Sequence, residues 1–441
     1  MAPAQGSVRD LVVGRRAAEA FLRSPLVSPI SSYRRLLSLA GPGYVIVAFL
    51  GRLPLAMSQL GALLLVSDAT GRYAAGGLAA GALAVANAVG APLAGALADR
   101  VGQRPVVLAQ SLTAGVALTA LVAAVHAGAG TAAMVVAAAV AGFTMPQVGP
   151  LARVRWRPIT HRTGNAQPRL VDAAFAYEGA ADEASFVLGP ALVGLGAVAL
   201  SPSGALLAAA ALLAVFGSWF ALHPTARQAH ALRASAAAHG AAFVTVAFLS
   251  LCLAQLLIGV IFGATQTGTT ALATDAGTPG LAGLVHSLLG VGSVLAGLAT
   301  AALPARFGYD KRILVSAIGL VVLSSPLLLA GSLTALVPVV LVLGLAVAPY
   351  MISVFAAAER QVPPARVGAA MTLLAGATGI GYAVGSGIAG RLADLGGHRP
   401  AFAVTVTAAA LAVLLAVVRL RTARPNAPVT TPGELAAASR G

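Results

Sequence analysis

Twelve apolar stretches, each about as long as a helix needs to cross a lipid bilayer, constrain this chain more than any other feature. A hydrocarbon core of about 30 Å takes roughly 20 residues of helix, and backbone polar groups inside it find no water, so such stretches fold as spanning helices. The expected spans are 43 to 66, 74 to 97, 105 to 126, 130 to 150, 173 to 199, 203 to 222, 241 to 271, 280 to 303, 311 to 331, 335 to 357, 367 to 390 and 400 to 419. The third and fourth are the least clearly separated, being joined only by HAGAG at 126 to 130. Composition agrees: 58% of the residues are hydrophobic, 9% are charged and the mean hydropathy is +0.89. The expected fold class is an all-α integral membrane protein.

The basic residues test this count, because short cytoplasmic loops collect Lys and Arg. With both termini inside, 24 of the 28 basic residues fall on the cytoplasmic side. They include Arg100 and Arg104, then Arg153, Arg155, Arg157, Arg162 and Arg169. Arg72, Arg391 and Arg399 fall outside, and Arg52 lies within the first span. Adding or removing one helix scrambles this segregation. The net charge of +15 is spread over short loops, so it follows topology and excludes a nucleic-acid surface. Residues 1 to 42 read as a basic cytoplasmic leader without a signal-peptide core, expected as a mobile tail, and Asp10 to Leu22 could form a surface helix. Cys252 is the only cysteine, which excludes an intramolecular disulfide and a thiolate metal cluster. Abundant alanine, and arginine in place of all but one lysine, point to a GC-rich bacterial genome and an inner-membrane location.

The segment HPTARQAHALRASAAAHG at 223 to 240 divides the spans into two groups of six, an N-terminal bundle at 43 to 222 and a C-terminal bundle at 241 to 420, with a tail at 421 to 441. The groups share an order of features. LADRVGQR (Leu97 to Arg104) follows the second span and LPARFGYDKR (Leu303 to Arg312) follows the eighth. MPQVGPLARVR (Met145 to Arg155) closes the fourth, and APYMISVFAAAER (Ala348 to Arg360) closes the tenth.

The stretch GALADRVGQR resembles the loop signature of the major facilitator superfamily, Gly-x-Leu-Ala-Asp-Arg-x-Gly-x-Arg, found between the second and third helices of those transporters. The resemblance implies two parallel six-helix repeats with the substrate site near the bilayer midplane between them. It also implies that Gly95, Asp99, Arg100, Gly102 and Arg104 form a gating loop, with the acid paired to a signature arginine and to a helix N-terminus of the other half. The alternative is that these are ordinary loop charges. This chain departs from the pattern at Pro105, where the family often has a base, and the second-half copy carries Ala305 where the acid would be.

The expected fifth helix, FAYEGAADEASFVLGPALVGLG, holds Glu178, Asp182 and Glu183 in its first half. Charges within a span cost about 2.5 to 3.5 kcal/mol each on insertion scales, so they face a cavity or a partner. Glu178 and Asp182 are four apart and share a face, while Glu183 lies about 100° around the helix. Arg52 is expected to be the sole intramembrane base and their counter-ion. Two readings stand side by side: acids that exchange protons or bind a cationic substrate, and a structural Arg and acid lock between the first and fifth helices. Tyr177 and Ser185 could extend a polar network there. Gly189, Pro190 and Gly194 are similar to the Gly-Pro motif of the family's drug/proton antiporters, although Val193 interrupts the usual glycine pair. The resemblance thus implies export more than uptake.

Gln59, Asn87, Gln255, Gln266, His286 and Tyr350 are polar groups within spans that either line a path or join helices. The glycines of the eleventh helix, Gly376 to Gly390, form a small-residue stripe suited to sliding, and Glu359 and Arg360 are expected to form a cytoplasmic pair. No Gly-x-x-x-x-Gly-Lys-Ser/Thr loop, Asp-rich diphosphate motif or His/Cys cluster occurs, so the expectation is a non-enzyme without a cofactor. The expected function is proton-coupled efflux of a small molecule by a monomer in the lipid bilayer. An uptake symporter is the alternative, and a polytopic sensor or membrane enzyme a remote one.

Overall fold

The computed structural model describes residues 29–71, 73–229, 244–278, 281–304 and 307–422, and among these residues it contains helices and loops but no strand. Eleven helical stretches are long and apolar enough to cross a membrane, and one of them, Thr131–Ala197, has 67 residues. A straight helix of that length would reach about 100 Å, some three bilayers. It folds back at His161–Ala166, where Gly164 has a φ of 56°, and so it crosses twice. Among the described residues the chain is an all-α, multi-pass membrane protein with twelve crossings.

In order, the crossings are Pro42–Thr70, Tyr73–Val101, Gln103–His126, the split helix Thr131–Thr144 with Val148–Thr160, Gln167–Ala199, and Pro202–Leu222. The second six are Val246–Asp275, Ala282–Ala302, Tyr309–Leu329, Leu333–Gln361, Val367–Gly396 and His398–Thr422. Local chemistry marks their starts. Ser201, Thr245 and Ser332 each cap a helix by accepting from a backbone N–H three residues on. Proline occupies the first turn of the first, fifth and sixth, where its missing N–H costs nothing.

The fourth crossing departs from the sequence expectation. It runs to Thr160 rather than 150 and is broken at Met145–Gln147, because Pro146 forces Met145 into an extended conformation (ψ 121°). Asn87 of the second helix satisfies the break, donating to Gly142 O (3.2 Å) and accepting from Gln147 Nε2 (3.2 Å). As a result Arg153 and Arg155 are not loop residues. They are 2% and 0% exposed inside the bundle, so Arg52 is not the sole buried base. The fifth helix likewise begins six residues early, at Gln167.

A further helix, Pro29–Ala40, lies within the expected leader, with Leu36 and Ser32 buried against the bundle. The candidate surface helix at 10 to 22, the tail from 423 onward and most of the 223 to 240 segment lie outside the described residues. Large apolar side chains such as Leu78, Val116, Val136, Leu195, Leu284 and Val322 point outward at more than half exposure, as lipid-facing residues do.

The two groups of six meet along two seams, second helix against eleventh and fifth against eighth. Among the described residues, every hydrogen bond and ion pair between the groups lies at the end that carries Asp99. Further along, Gly376 still approaches Ala88 and Pro92, and Gly290 still meets Val187. Beyond that level Gly283 and Gly194 have nothing within 4 Å, and the first and seventh helices form no extended interface. Among the described residues the bundle is closed at the Asp99 end, and no hydrogen bond or ion pair joins the halves at the other.

Candidate functional site

At the closed end the loop that the sequence singled out touches the other half. Asp99 leaves the second helix and accepts from the backbone N–H groups of Gly368 (3.0 Å) and Ala369 (2.7 Å), the first turn of the eleventh helix. A carboxylate there meets unsatisfied donors and the positive end of the helix dipole. Gly95 permits the approach, since a Cβ at that position would lie 2.1 Å from Thr372 Oγ1. Gly102 takes a φ of 94°, a conformation glycine adopts without cost, and turns the chain into the third helix. Arg100 is exposed and Arg104 half-buried, and neither makes an ion pair among the described residues.

Four contacts at this end involve residues that the sequence did not pair. Arg157, at the end of the fourth helix, forks onto Glu359 of the tenth, with Nη2 2.9 Å from Oε2. Asp172 of the fifth helix accepts from Tyr309 Oη and, at 3.5 Å, from Arg360. Glu359 and Arg360 therefore each cross to the other half rather than pairing with one another. Tyr33 of the helix Pro29–Ala40 donates to Leu298 O at 2.7 Å. Nothing local to either partner signals such contacts, which arise only once the two halves are docked.

Deeper in the bundle, the acids of the fifth helix meet two arginines. Arg52 donates to Glu178 Oε2 (2.5 Å) and Asp182 Oδ1 (2.9 Å), and its Nε donates to Ala48 O (3.1 Å). Trp156 Nε1 donates to the other Glu178 oxygen at 2.7 Å, so that carboxylate, fully buried, is satisfied on both sides. Arg153 Nη1 takes Asp182 Oδ2 at 2.7 Å. Two carboxylates are thus matched by two guanidinium groups. Arg155 stays apart, bound to Gln103 Oε1, Phe220 O and Thr225 Oγ1 and stacked 3.6 Å over the Phe220 ring.

Glu183 is the acid left over. It is 6% exposed and makes no ion pair among the described residues. Its helix turn lies on the fifth and eighth seam, where Gly290 packs on Val187 and the Glu183 backbone. Ser293 of the eighth helix is the hydroxyl that faces it, and Ser293 Oγ is buried without a formed hydrogen bond.

The remaining candidates divide. Ser185 donates to the Asp182 carbonyl of its own helix, so it extends no network, while Tyr177 packs edge-on against Trp156. Gly189 lets the first helix approach, a Cβ there lying 2.6 Å from Ala56 Cβ, whereas Gly194 faces open space and Pro190 lies within an unbroken helix. Tyr350 donates to Ala254 O and Tyr382 to Gln266 Oε1, which makes both helix-joining groups. Gln59 is exposed. Gln255 and His286 Nδ1 are buried without partners. The eleventh-helix stripe does not serve one surface: Gly376 faces the second helix across the seam, while Gly381 and Gly385 pack on the seventh helix of the same half. No cluster of three metal-ligating side chains occurs among the described residues.

Residues 251–440 match the model of the Major Facilitator Superfamily. No curated protein gives a significant sequence match. Among solved structures, the chain is similar to the human organic anion transporter MFSD10 (TETRAN), with 21% identity, 85% of this chain and 99% of that chain covered and a TM-score of 0.65. A bacterial homologue of the iron transporter ferroportin, in an outward-facing state with soaked iron, shares 14% identity over 87% and 99% of the two chains, with a TM-score of 0.67. The proton:xylose symporter XylE shares 13% over 87% and 95%, with a TM-score of 0.66. At these identities the structural likeness speaks for the fold alone.

Proposed function

We propose that this chain is a member of the major facilitator superfamily, a multi-pass secondary transporter of some solute rather than an enzyme, and that it exports a small molecule in exchange for protons. In this reading it lies in a bacterial inner membrane as a monomer, with the Asp99 end and both termini in the cytoplasm. The state described is then open to the outside, with its inner end shut by Asp99, Glu359 and Asp172. The N-terminal bundle spans 43 to 222 and the C-terminal bundle 241 to 420.

The observation that carries the proton-coupled reading is Glu183. Burying a lone carboxylate costs several kcal/mol more than burying the neutral acid. A cationless carboxyl on a seam that must open and close is therefore suited to hold a proton in one state and release it in the other. Glu178, clamped by Arg52 and Trp156, and Asp182, clamped by Arg52 and Arg153, serve as the frame around it. Export rather than uptake is supported by the likeness of Gly189, Pro190 and Gly194 to the antiporter motif.

Cells lacking their own exporters and expressing the chain test the reading through accumulation of a panel of dyes and antibiotics. For at least one compound, expression should lower accumulation, an uncoupler should restore it and Glu183→Gln should abolish the gradient-dependent part. Accumulation that rises on expression and falls with the uncoupler would establish uptake instead. Glu183→Gln transport still driven by the gradient would remove the coupling assignment.

A further inference from the structure

Arg153 is the one guanidinium of the acid cluster that touches both halves. Its Nη1 holds Asp182 at 2.7 Å, and its Cζ lies 4.4 Å from the ring centroid of Phe355 on the tenth helix. Its Nε is buried with no acceptor. Buried donors almost always find partners, so this guanidinium carries an unused edge. Arg52 has no such freedom, since its Nε and both of its terminal nitrogens are engaged. Glu183, adjacent to Asp182 in sequence and turned toward the eighth helix, makes no ion pair among the described residues, and Asp182 and then Arg153 are the charges whose field reaches it. A guanidinium fork can serve two carboxylates at once.

We propose that Arg153 is the positioning residue that couples the proton to the seam: when Glu183 loses its proton, the guanidinium turns its free edge to the new carboxylate and leaves Phe355, loosening the fourth helix from the tenth at the Asp99 end. The inference rests on the proton-coupled reading above. In the step the carboxylic O–H bond breaks, its electron pair stays on Glu183 and the proton passes to water. Arg153 keeps all its protons and gains only an acceptor for Nε–H. The closed state then favours neutral Glu183 and the loosened state the anion, so raising pH moves the population toward opening.

Other groups around Glu183 bear on that response. The eighth helix contributes Ser293 and, about 6 Å further along its axis than Gly290, His286. The first helix offers Arg52, held by Glu178 and Asp182. Tyr350 of the tenth is bound to Ala254 O, and the fifth helix itself carries Tyr177. The sixth helix, Pro202–Leu222, brings no charged residue. At the far, closed end stand Asp172 and its partners, together with Tyr33, Arg34 and Arg35 of the helix Pro29–Ala40. His286 is the histidine of the eighth helix, so it needs its own control.

The test uses the full chain in lipid nanodiscs, with Cys252→Ser as background and spin labels at Val101→Cys and Gln361→Cys, one in each half at the Asp99 end. Distances between the labels are followed through a pH titration. The parent should lengthen as pH rises, Glu183→Gln should stay short throughout, and His286→Gln should titrate like the parent. Phe355→Leu keeps the apolar volume but removes the ring face that competes for Arg153. Its midpoint should move down by about one pH unit, tenfold in proton affinity. Arg153→Lys, which lacks the fork, should move it up, and if that variant fails to fold, Phe355→Leu carries the test. A parent that does not respond, or a Glu183→Gln that titrates like the parent, overturns the proton-coupled reading and this inference with it. A flat Glu183→Gln with an unmoved Phe355→Leu overturns the hand-over alone, as does a response lost in His286→Gln.

Discussion

The two seams between the halves begin alike and continue differently. On the second and eleventh helices the acid of the first half, Asp99, binds backbone amides of the second, and above it the contact is made by Gly95 and Gly376 without a charge. Beside the second seam stands an acid of the fifth helix, Asp172, which the second half answers with side chains of its ninth and tenth helices, Tyr309 and Arg360. Above it stands Glu183 beside Ser293. Backbone amides at a helix terminus cannot titrate or change rotamer, and side chains can do both. In the proposed function the first seam fixes the closed geometry and the second responds to protons or cargo. The second-half loop has Ala305 in place of the acid, so this asymmetry is already present in the repeat.

The largest effect that would break the comparison comes from the frame of the responsive seam. Arg52→Met leaves Glu178 buried with a Trp156 hydrogen bond but no cation, and removing one partner of a buried pair costs about 3 to 5 kcal/mol. The yield of folded protein in detergent and its Tm should fall sharply. Arg52→Met with Glu178→Gln should recover part of the loss, because the stranded charge is gone. Equal losses in the single and double variants would mean that Arg52 acts through packing alone.

A smaller effect is expected at the fixed seam. Asp99→Ala removes a helix cap worth about 1 to 2 kcal/mol, roughly tenfold in the opening equilibrium. Thr372 lies behind this cap at 1% exposure. A Thr372→Cys reporter in a Cys252→Ser background should then be alkylated about tenfold faster when Asp99 is lost, and less so in Asp99→Asn, which retains one acceptor. An unchanged rate would show that Gly95 packing, not the cap, holds this seam.

The number of crossings could be read from the sequence because apolar length is a local property. So could the acid pair of Glu178 and Asp182, since a spacing of four fixes their common face. What could not be read was which arginines answer them. Arg153 and Arg155 follow Pro146 and alternate with apolar residues, the pattern of a loop after a finished span, and only the continuation of the helix past the break carries them inside. Phe355, Asp172 and Tyr309 were missed for a different reason. Their partners are more than 130 residues away, and no helical or strand period links them. The glycine stripe of the eleventh helix was legible as a stripe, but its division between the seventh and second helices depends on how the halves dock.

The smallest effect separates the two partners of Asp172. Arg360 is 44% exposed and meets the carboxylate at 3.5 Å, so it belongs with surface pairs worth about 0 to 1 kcal/mol and is screened by salt. The Tyr309 hydroxyl is partly buried, and a hydrogen bond to a charged acceptor contributes about 1.5 to 3 kcal/mol before discount for exposure. Tyr309→Phe should therefore speed alkylation of a cysteine placed on this seam more than Arg360→Gln does. Raising the ionic strength should remove the Arg360→Gln difference and leave that of Tyr309→Phe. If the order is reversed, the closed end of this seam is set by long-range charge rather than by a directed hydrogen bond, and its contrast with the Asp99 cap becomes one of polarity instead of mobility.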